Sequence, residues 1–180
     1  MSVTSYTLTA RTLHWVMAVL MILMLAAGLV MSDIEDPALK GTIYGLHKAT
    51  GILVLLLAGF RVLWRISHAV PAISAALPVW QRRAARLAHG GLYAVMFLLP
   101  LSGWSMSSAA GYPVSFYGLF TIPDMVAKNP ELAGILKDIH EVSANVFIAL
   151  LAAHLGAALY HHFILRDDTL RRMGYRNPPK

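Results

Sequence analysis

Long apolar segments separated by short polar ones dominate the pattern of this chain. Four segments, at about 13–32, 43–66, 87–108 and 138–163, consist almost entirely of apolar residues. About 20 such residues in a helix cross the ~30 Å hydrocarbon core of a bilayer. The pattern therefore predicts an all-α fold, an integral membrane four-helix bundle in which residues 1–180 form a single domain.

The connecting segments carry the residues that interrupt helices. SDIEDPALKG, residues 32–41, is predicted to be an acidic loop with Pro37 and Gly41 as breakers. Residues 67–86 form a second connector, and residues 109–137 form the longest loop, part of which is expected on the membrane surface. The first apolar segment lacks a small-residue cleavage pattern and is long enough to span the membrane, so it is predicted to remain as a helix.

Composition supports the membrane assignment and removes several kinds of cofactor. Hydrophobic residues make up 57% of the chain and charged residues only 13%, whereas a soluble domain carries about 25% charged residues. Cysteine is absent, which excludes disulfides, thiolate metal sites, iron–sulfur clusters and the covalent attachment of c-type haem. Any haem must therefore be held noncovalently.

Basic residues lie mostly on one side of the predicted spans. All ten arginines fall in or beside the N-terminal arm, the second connector and the C-terminal tail. They are Arg11, Arg61, Arg65, Arg82, Arg83, Arg86, Arg166, Arg171, Arg172 and Arg176. Positive residues that flank apolar spans favour the cytoplasmic side, so the net charge of +6 indicates membrane topology rather than a nucleic-acid partner. Both termini are predicted to be cytoplasmic.

The histidines inside the spans are the candidate chemical groups. His140 and His154 stand fourteen residues apart, which is nearly four helical turns, so both lie on one face with about 21 Å of rise between them. A histidine in hydrocarbon is costly without a partner and is a functional-site hypothesis by default. By depth, His47 lies level with His140 near the outer side, while His14 and His89 lie toward the inner side with His154.

Pairing by depth is the arrangement that haem b requires in an electron carrier. Two axial imidazoles from facing helices fill both free positions of the iron, which then cycles between Fe(III) and Fe(II). The outer pair is predicted to be His47 with His140. The inner pair is His154 with either His14 or His89, since depth does not choose between them. A zinc site needs three or four clustered ligands. Histidines that lie in two pairs at opposite sides of a bilayer do not form such a cluster, so zinc is disfavoured.

Other residues have both a functional and a structural interpretation. His68 and His162 are interpreted as interfacial or hydrogen-bonded groups. Gly28, Gly51 and Gly156 would allow close approach of a porphyrin or of a helix. Arg11, Arg61 and Arg65 are candidates for pairing with haem propionates, or are topology anchors. Lys48 and Lys137 border the outer haem position and would make its mouth positive, or are snorkelling lysines.

The chain resembles the prokaryotic cytochrome b561 family, small di-haem membrane proteins akin to the cytochrome b subunits of hydrogenases and formate dehydrogenases. The resemblance covers nearly the whole chain and rests on four stretches taken together. They are LHW at Leu13–Trp15, GLHKATGILVLLLAGFRVLWR at Gly45–Arg65, LAHGGLYAVMFLLPLSGW at Leu87–Trp104 and LKDIHEVSANVFIALLAAHLGAALYHHFILRDDTLRRM at Leu136–Met173.

The resemblance implies a specific set of ligands. Two noncovalent haem b groups would be held by His14 with His154 on the inner side and by His47 with His140 on the outer side, which leaves His89 as a non-ligand near the inner haem. It also implies a multi-pass protein of the bacterial inner membrane. A ubiquinone site near the inner haem is implied as well. His89, His161 and Arg65 are its candidates for binding carbonyl oxygens or delivering protons.

The predicted function is electron transfer between a periplasmic donor and the ubiquinone pool. Some members of the family resemble superoxide oxidases, so superoxide is the first candidate donor and the predicted enzyme is a superoxide:ubiquinone oxidoreductase. A positive mouth near Lys48 and Lys137, inferred from this sequence alone, would steer an anionic donor. One alternative is a cytochrome b subunit that accepts electrons from a periplasmic dehydrogenase or hydrogenase. Another is a transporter or scaffold without redox chemistry, which four spans with paired histidines disfavour.

Overall fold

Four long helices account for most of the molecule. The computed structural model describes residues 5–73 and 77–174, so Arg176, which the topology argument uses, lies outside the described residues. The helices are α1 (Leu8–Val30), α2 (Pro37–Ser67), α3 (Val79–Ala110) and α4 (Pro130–Tyr160). All four are long and apolar enough to cross a membrane. The predicted all-α four-helix membrane fold is therefore confirmed.

Helix starts coincide with side chains that cap free backbone N–H groups. The hydroxyl of Thr7 accepts a hydrogen bond from the Ala10 N–H of α1, and Asp36 and Asn129 do the same at the starts of α2 and α4. Proline occupies the first turn of α2 and of α4, where its missing N–H costs nothing. Each of these caps satisfies an N–H group that the helix itself leaves unpaired.

The helices extend further into the connectors than predicted. Helix α2 begins at Pro37, so the prediction of an acidic loop at 32–41 is wrong for residues 37–41. Gly41 lies inside the helix. Helix α4 begins at Pro130, eight residues before the predicted start of the fourth span. Proline is well tolerated in the first turn of a helix, so Pro37, predicted to be a breaker, begins α2, and Pro130, within the predicted long loop, begins α4.

The predicted long loop contains a small β-hairpin. Strands β1 (Val114–Phe116) and β2 (Phe120–Ile122) pair antiparallel, with Val114 opposite Ile122. Tyr117 and Gly118 turn the chain with positive φ angles of 51° and 77°. Val114 is buried against the bundle, and the hydroxyls of Tyr117 and Thr50 lie 2.9 Å apart. The hairpin therefore covers one end of the bundle, called here the hairpin end.

The two termini meet at the opposite end, called here the terminal end. The N–H of Tyr6 donates to the carbonyl of Arg172, Arg11 donates to the carbonyl of Gly174 at 2.6 Å, and the indole of Trp15 donates to Met173 at 2.8 Å. The predicted polar tail thus folds back onto the start of α1. These three bonds join the first and last described segments of the chain.

The packed core lies midway along the bundle. Met21, Val54, Val95 and Phe147 are buried together, one from each long helix. Phe147 stands halfway between His140 and His154 in the sequence of α4, so the core forms an apolar layer between the two levels at which histidines occur. Close backbone packing runs from α1 to α2, from α2 to α3 and from α3 to α4, whereas α1 and α2 pack little against α4 in the described residues.

Candidate functional site

Two histidines face each other at the hairpin end. His47 of α2 and His140 of α4 have ring centroids 6.4 Å apart. Nδ1 of His140 donates to the carbonyl oxygen of Leu99 at 2.9 Å, and the hydroxyl of Ser102 lies 3.1 Å away. This bond fixes the tautomer in which Nε2 carries the free lone pair, the orientation that metal-binding histidines require. Nδ1 of His47 is buried with no hydrogen-bond partner in the described part of the chain.

Glycines lie against both rings of this pair. A Cβ atom on Gly103 would stand 3.1 Å from Cε1 of His140, and one on Gly28 would stand 3.4 Å from Cε1 of His47. Gly28 was predicted to permit close approach, whereas Gly103 was not singled out. Gly156, by contrast, has open space where a Cβ would lie, so no neighbouring helix in the described residues approaches it closely.

Three histidines meet at the terminal end. The ring of His154 on α4 has its centroid 6.1 Å from that of His14 on α1 and 5.7 Å from that of His89 on α3. The alternatives that depth left open are therefore both within reach of His154. Arg61 stands beside this group, with one guanidinium nitrogen 3.4 Å from Nδ1 of His14 and another donating to the carbonyl of Ala10 at 3.0 Å.

The predicted quinone-site residues occupy three different surroundings. Arg65 lies over the ring of Tyr93, 5.9 Å from its centroid, and lines a small cleft. The residues that line the same cleft include Tyr6, Arg61, Trp64, His68 and Tyr93. His89 lies beside His154, and His161 is held by Asp167, whose Oδ2 is 2.5 Å from its Nδ1. Asp167 was not predicted to take part.

The remaining candidates have local partners. The ring of His68 stacks on Trp64, with centroids 3.9 Å apart, and its Nδ1 lies 2.9 Å from the hydroxyl of Ser67, which agrees with the interpretation as a hydrogen-bonded group. The ammonium of Lys48 donates to the hydroxyl of Ser107 and to the carbonyl of Pro113. Lys137 lies 2.6 Å from the carboxylate of Glu141, on the exposed surface.

The arrangement of each facing pair fits haem b. A first-row metal bonds an imidazole nitrogen at about 2.0–2.1 Å, so two imidazoles on opposite sides of one metal have ring centroids about 6 Å apart. The observed separations are 6.4 Å and 6.1 Å. The helices that carry the partners pack little against each other in the described residues. In the described residues no group of three or more histidine or acidic side chains could hold a metal ion.

A membrane helical bundle with facing imidazoles at two levels defines the class of b-type cytochromes. Comparison with known proteins agrees. Residues 5–175 match the family model described as prokaryotic cytochrome b561. The chain therefore belongs to the prokaryotic cytochrome b561 family, membrane electron-transfer proteins that bind haem b, and is a multi-pass protein of the inner membrane.

Three relatives illustrate the similarity. Cytochrome b561 homolog 1 of Escherichia coli (strain K12) is 40% identical over 71% of this chain and 72% of its own length. Cytochrome b561 homolog 2 of the same organism is 34% identical over 93% of this chain and 90% of its own length. A probable superoxide oxidase, CybB, of Yersinia pestis is 27% identical over 89% of this chain and 90% of its own length.

Proposed function

We propose that the chain carries two noncovalent haem b groups and transfers electrons from a periplasmic donor, superoxide in the first place, to ubiquinone. The observation that carries the proposal is the presence of two facing imidazole pairs at opposite ends of one apolar bundle, with ring centroids 6.1 and 6.4 Å apart. Both pairs share α4, in which fourteen residues correspond to about 21 Å of rise.

Four histidines act as axial ligands in this proposal. His47 and His140 hold the haem at the hairpin end, and His14 and His154 hold the one at the terminal end. When bound, each haem supplies a one-electron carrier whose two axial positions are filled. His89 remains a neighbour of the inner pair, as the family resemblance implies. Arg61, beside His14, is suited to pair with a haem propionate.

The other residues insulate and orient the two sites. The apolar layer of Met21, Val54, Val95 and Phe147 excludes water between the two levels. The carbonyl of Leu99 holds the ring of His140 in place, and such hydrogen bonds to the second nitrogen of a ligating histidine orient it and raise its basicity.

The direction of transfer depends on the orientation in the membrane. In this proposal the terminal end, where most of the arginines lie, faces the cytoplasm together with both termini, because positive residues that flank spans favour that side. The hairpin end would then face the periplasm. Lys48 and Lys137 lie at the hairpin end, where they would attract an anionic donor such as superoxide. The similarity to a probable superoxide oxidase over 89% of the chain supports this donor. Quinone would bind at the terminal end, near Arg65, His89 and His161.

The test uses the purified full chain in detergent. A haem-to-protein ratio of two, with low-spin b-type spectra, is the expected composition. Addition of superoxide should then reduce the haem, and added ubiquinone should reoxidise it. A colourless protein without haem would overturn the proposal and favour a transporter or scaffold. Two haems that superoxide leaves oxidised, but that a co-purifying dehydrogenase or hydrogenase reduces, would make the chain a subunit of that enzyme.

A further inference from the structure

Beyond the end of α4 the chain reverses, so that Asp167 contacts His161. After Tyr160 the backbone winds through a π-helical turn, His161–Leu165, and Arg166 then reverses the chain with φ 53° and ψ 34°. The reversal lets the N–H of Asp167 donate to the carbonyl of His161 at 3.1 Å. It also sets Oδ2 of Asp167 2.5 Å from Nδ1 of His161. Single π-turns inside helices occur frequently at functional sites.

The carboxylate that meets His161 is itself held on its other side. Oδ1 of Asp167 accepts the N–H of Thr169 at 2.8 Å, and the hydroxyl of Thr169 lies 3.4 Å from Nδ1 of His161. Burial raises the pKa of Asp167, but the hydrogen bonds with His161 and Thr169 outweigh burial and bring that pKa below its usual value. The carboxylate is therefore ionised at neutral pH and presents a fixed negative charge to the imidazole.

A fixed carboxylate at Nδ1 determines what the other nitrogen of the ring can do. Nδ1 keeps its hydrogen for Asp167, so Nε2 is the atom that gains and loses a proton. Within residues 5–73 and 77–174, no side chain or backbone group forms a hydrogen bond with Nε2, and the titratable groups in contact with His161 are Asp167 and Tyr160. The side chains of His161 and Asp167 are 15% and 33% exposed, so the pair reaches solvent at the terminal end.

We propose that Asp167 is a positioning residue that maintains His161 as a proton donor for the reduction of quinone. The proposal rests on the proposed function. Reduction of one quinone to quinol takes two electrons, which two superoxide ions supply as they become two O₂, and two protons. One proton passes from Nε2 of His161 to a quinone oxygen as the electrons arrive, and the second comes from water. His161 then regains its proton from cytoplasmic water, and Asp167 stays ionised throughout.

The experiment measures two half-reactions of the haem-loaded chain and of its Asp167→Asn variant over a range of pH. Haem content and the rate of haem reduction by superoxide should be unchanged. Reoxidation by ubiquinone-1 should slow by about tenfold or more at alkaline pH, since general acid catalysis is lost. The loss should be confined to reoxidation, because Asp167 contacts His161 and none of the proposed haem ligands.

Matched variants separate positioning from general effects of charge or folding. Asp168→Asn removes the neighbouring carboxylate, which lies 3.5 Å from Arg171 and is 53% exposed, and should leave the profile unchanged. Asp167→Glu should restore part of the rate. His161→Gln should slow reoxidation at least as much as Asp167→Asn does. Adding Asp167→Asn to His161→Gln should cause no further loss, as expected if Asp167 acts through His161.

The outcomes distinguish this proposal from the proposed function. If the wild type is reduced by superoxide but no variant changes reoxidation by ubiquinone-1, the role of Asp167 is overturned and quinone reduction stands. Identical profiles for the Asp167→Asn and Asp168→Asn variants would overturn it equally. If quinone does not reoxidise the wild type at all, the proposed function fails, and the role of Asp167 fails with it.

Discussion

The two ends of the bundle hold similar pairs of histidines in different settings. At the hairpin end, His140 is tied to the backbone of α3, and a glycine lies against each ring of its pair. At the terminal end, His154 faces two histidines, with an arginine and an open cleft close by. The first setting holds rings in a fixed orientation. The second surrounds them with a guanidinium group and further imidazoles, which suits the quinone reduction proposed for that end.

The segments that close the two ends of the bundle also differ. The hairpin is joined to α2 through Thr50 and Tyr117, and the ammonium of Lys48 ties α2 to the carbonyl of Pro113 just before β1. The terminal end is closed by its own chain ends and by a π-turn that carries a histidine–aspartate pair. The hairpin end is thus closed by a strand pair joined to α2, whereas the terminal end is closed by irregular segments of the chain.

The largest effect is expected when one proposed haem ligand is removed at either end of the bundle. His140→Ala should lose the haem of the hairpin end and keep the other, and His154→Ala should do the reverse, because a bis-histidine site loses half of its iron ligands. The haem-to-protein ratio should fall from two to one in each variant, as read by the pyridine haemochrome assay. His162→Ala is the control and should keep both haems, and full retention in either ligand variant would contradict the assignment.

A side chain at Gly103 should affect the hairpin end alone. The Cβ of Gly103→Ala would approach His140 to 3.1 Å, so the ring must shift and haem binding there should weaken by about 10-fold, similar to loss of a group that orients a ligand. Titration of the haem-depleted protein with haem would measure the loss. Gly134→Ala meets open space on the same helix as His140 and should bind haem normally. Equal titrations for both variants would argue against close packing at the ring.

The positive charge of Lys48 at the hairpin end should affect the rate of haem reduction by superoxide more than it affects haem binding. Lys48→Gln should slow haem reduction by superoxide by about 2–10-fold at low ionic strength, and the difference should shrink as salt screens the field. Stopped-flow reduction at several salt concentrations is the measurement. Arg166→Gln, at the opposite end, changes the net charge by the same amount and should leave the rate unaltered. A salt-independent effect would instead indicate that Lys48 acts by anchoring Pro113.

The smallest effect is expected on stability at acid pH. The pKa of Asp167 lies below its usual value in the folded protein, so its pair with His161 stabilises the fold above the ordinary aspartate pKa of about 3.9, and this contribution is lost as pH falls through the folded pKa. The unfolding temperature of Asp167→Asn should lie below that of the wild type by no more than about 2 °C at neutral pH. The two curves should approach each other as the pH falls through the folded pKa of Asp167, and a gap that does not narrow at all on acidification would exclude this ion pair as its source.

The sequence predicts the helices better than it predicts their ends. Spans are strong signals because some 20 apolar residues leave few alternatives. Pro37, however, was read as a breaker although it begins α2, and residues 130–137 were assigned to the long loop although α4 begins at Pro130. The hairpin was missed because strands of three residues are too short to show alternation. A turn that relies on positive φ at Tyr117 gives no signal in composition.

Of the candidate site, the sequence predicts the residues that lie on regular helices. The spacing of His140 and His154 follows from helical geometry alone, and depth pairs His47 with His140. The choice between His14 and His89 depends on helix rotation, which a single sequence does not reveal, and the structure brings both rings close to His154. Asp167 was missed because its approach to His161 depends on the reversal at Arg166, an irregular conformation that apolar periodicity does not indicate.

The position of α4 in the chain has a consequence for biogenesis. Both imidazole pairs take one member from α4, and their partners on α1 and α2 precede it in the chain. Neither pair exists until α4 has been synthesised, so a haem held by either pair, as proposed, would be captured only after translation of α4. The bonds from Tyr6, Arg11 and Trp15 to the C-terminal segment form later still. A nascent chain arrested before Pro130 would therefore span the membrane three times without either facing pair.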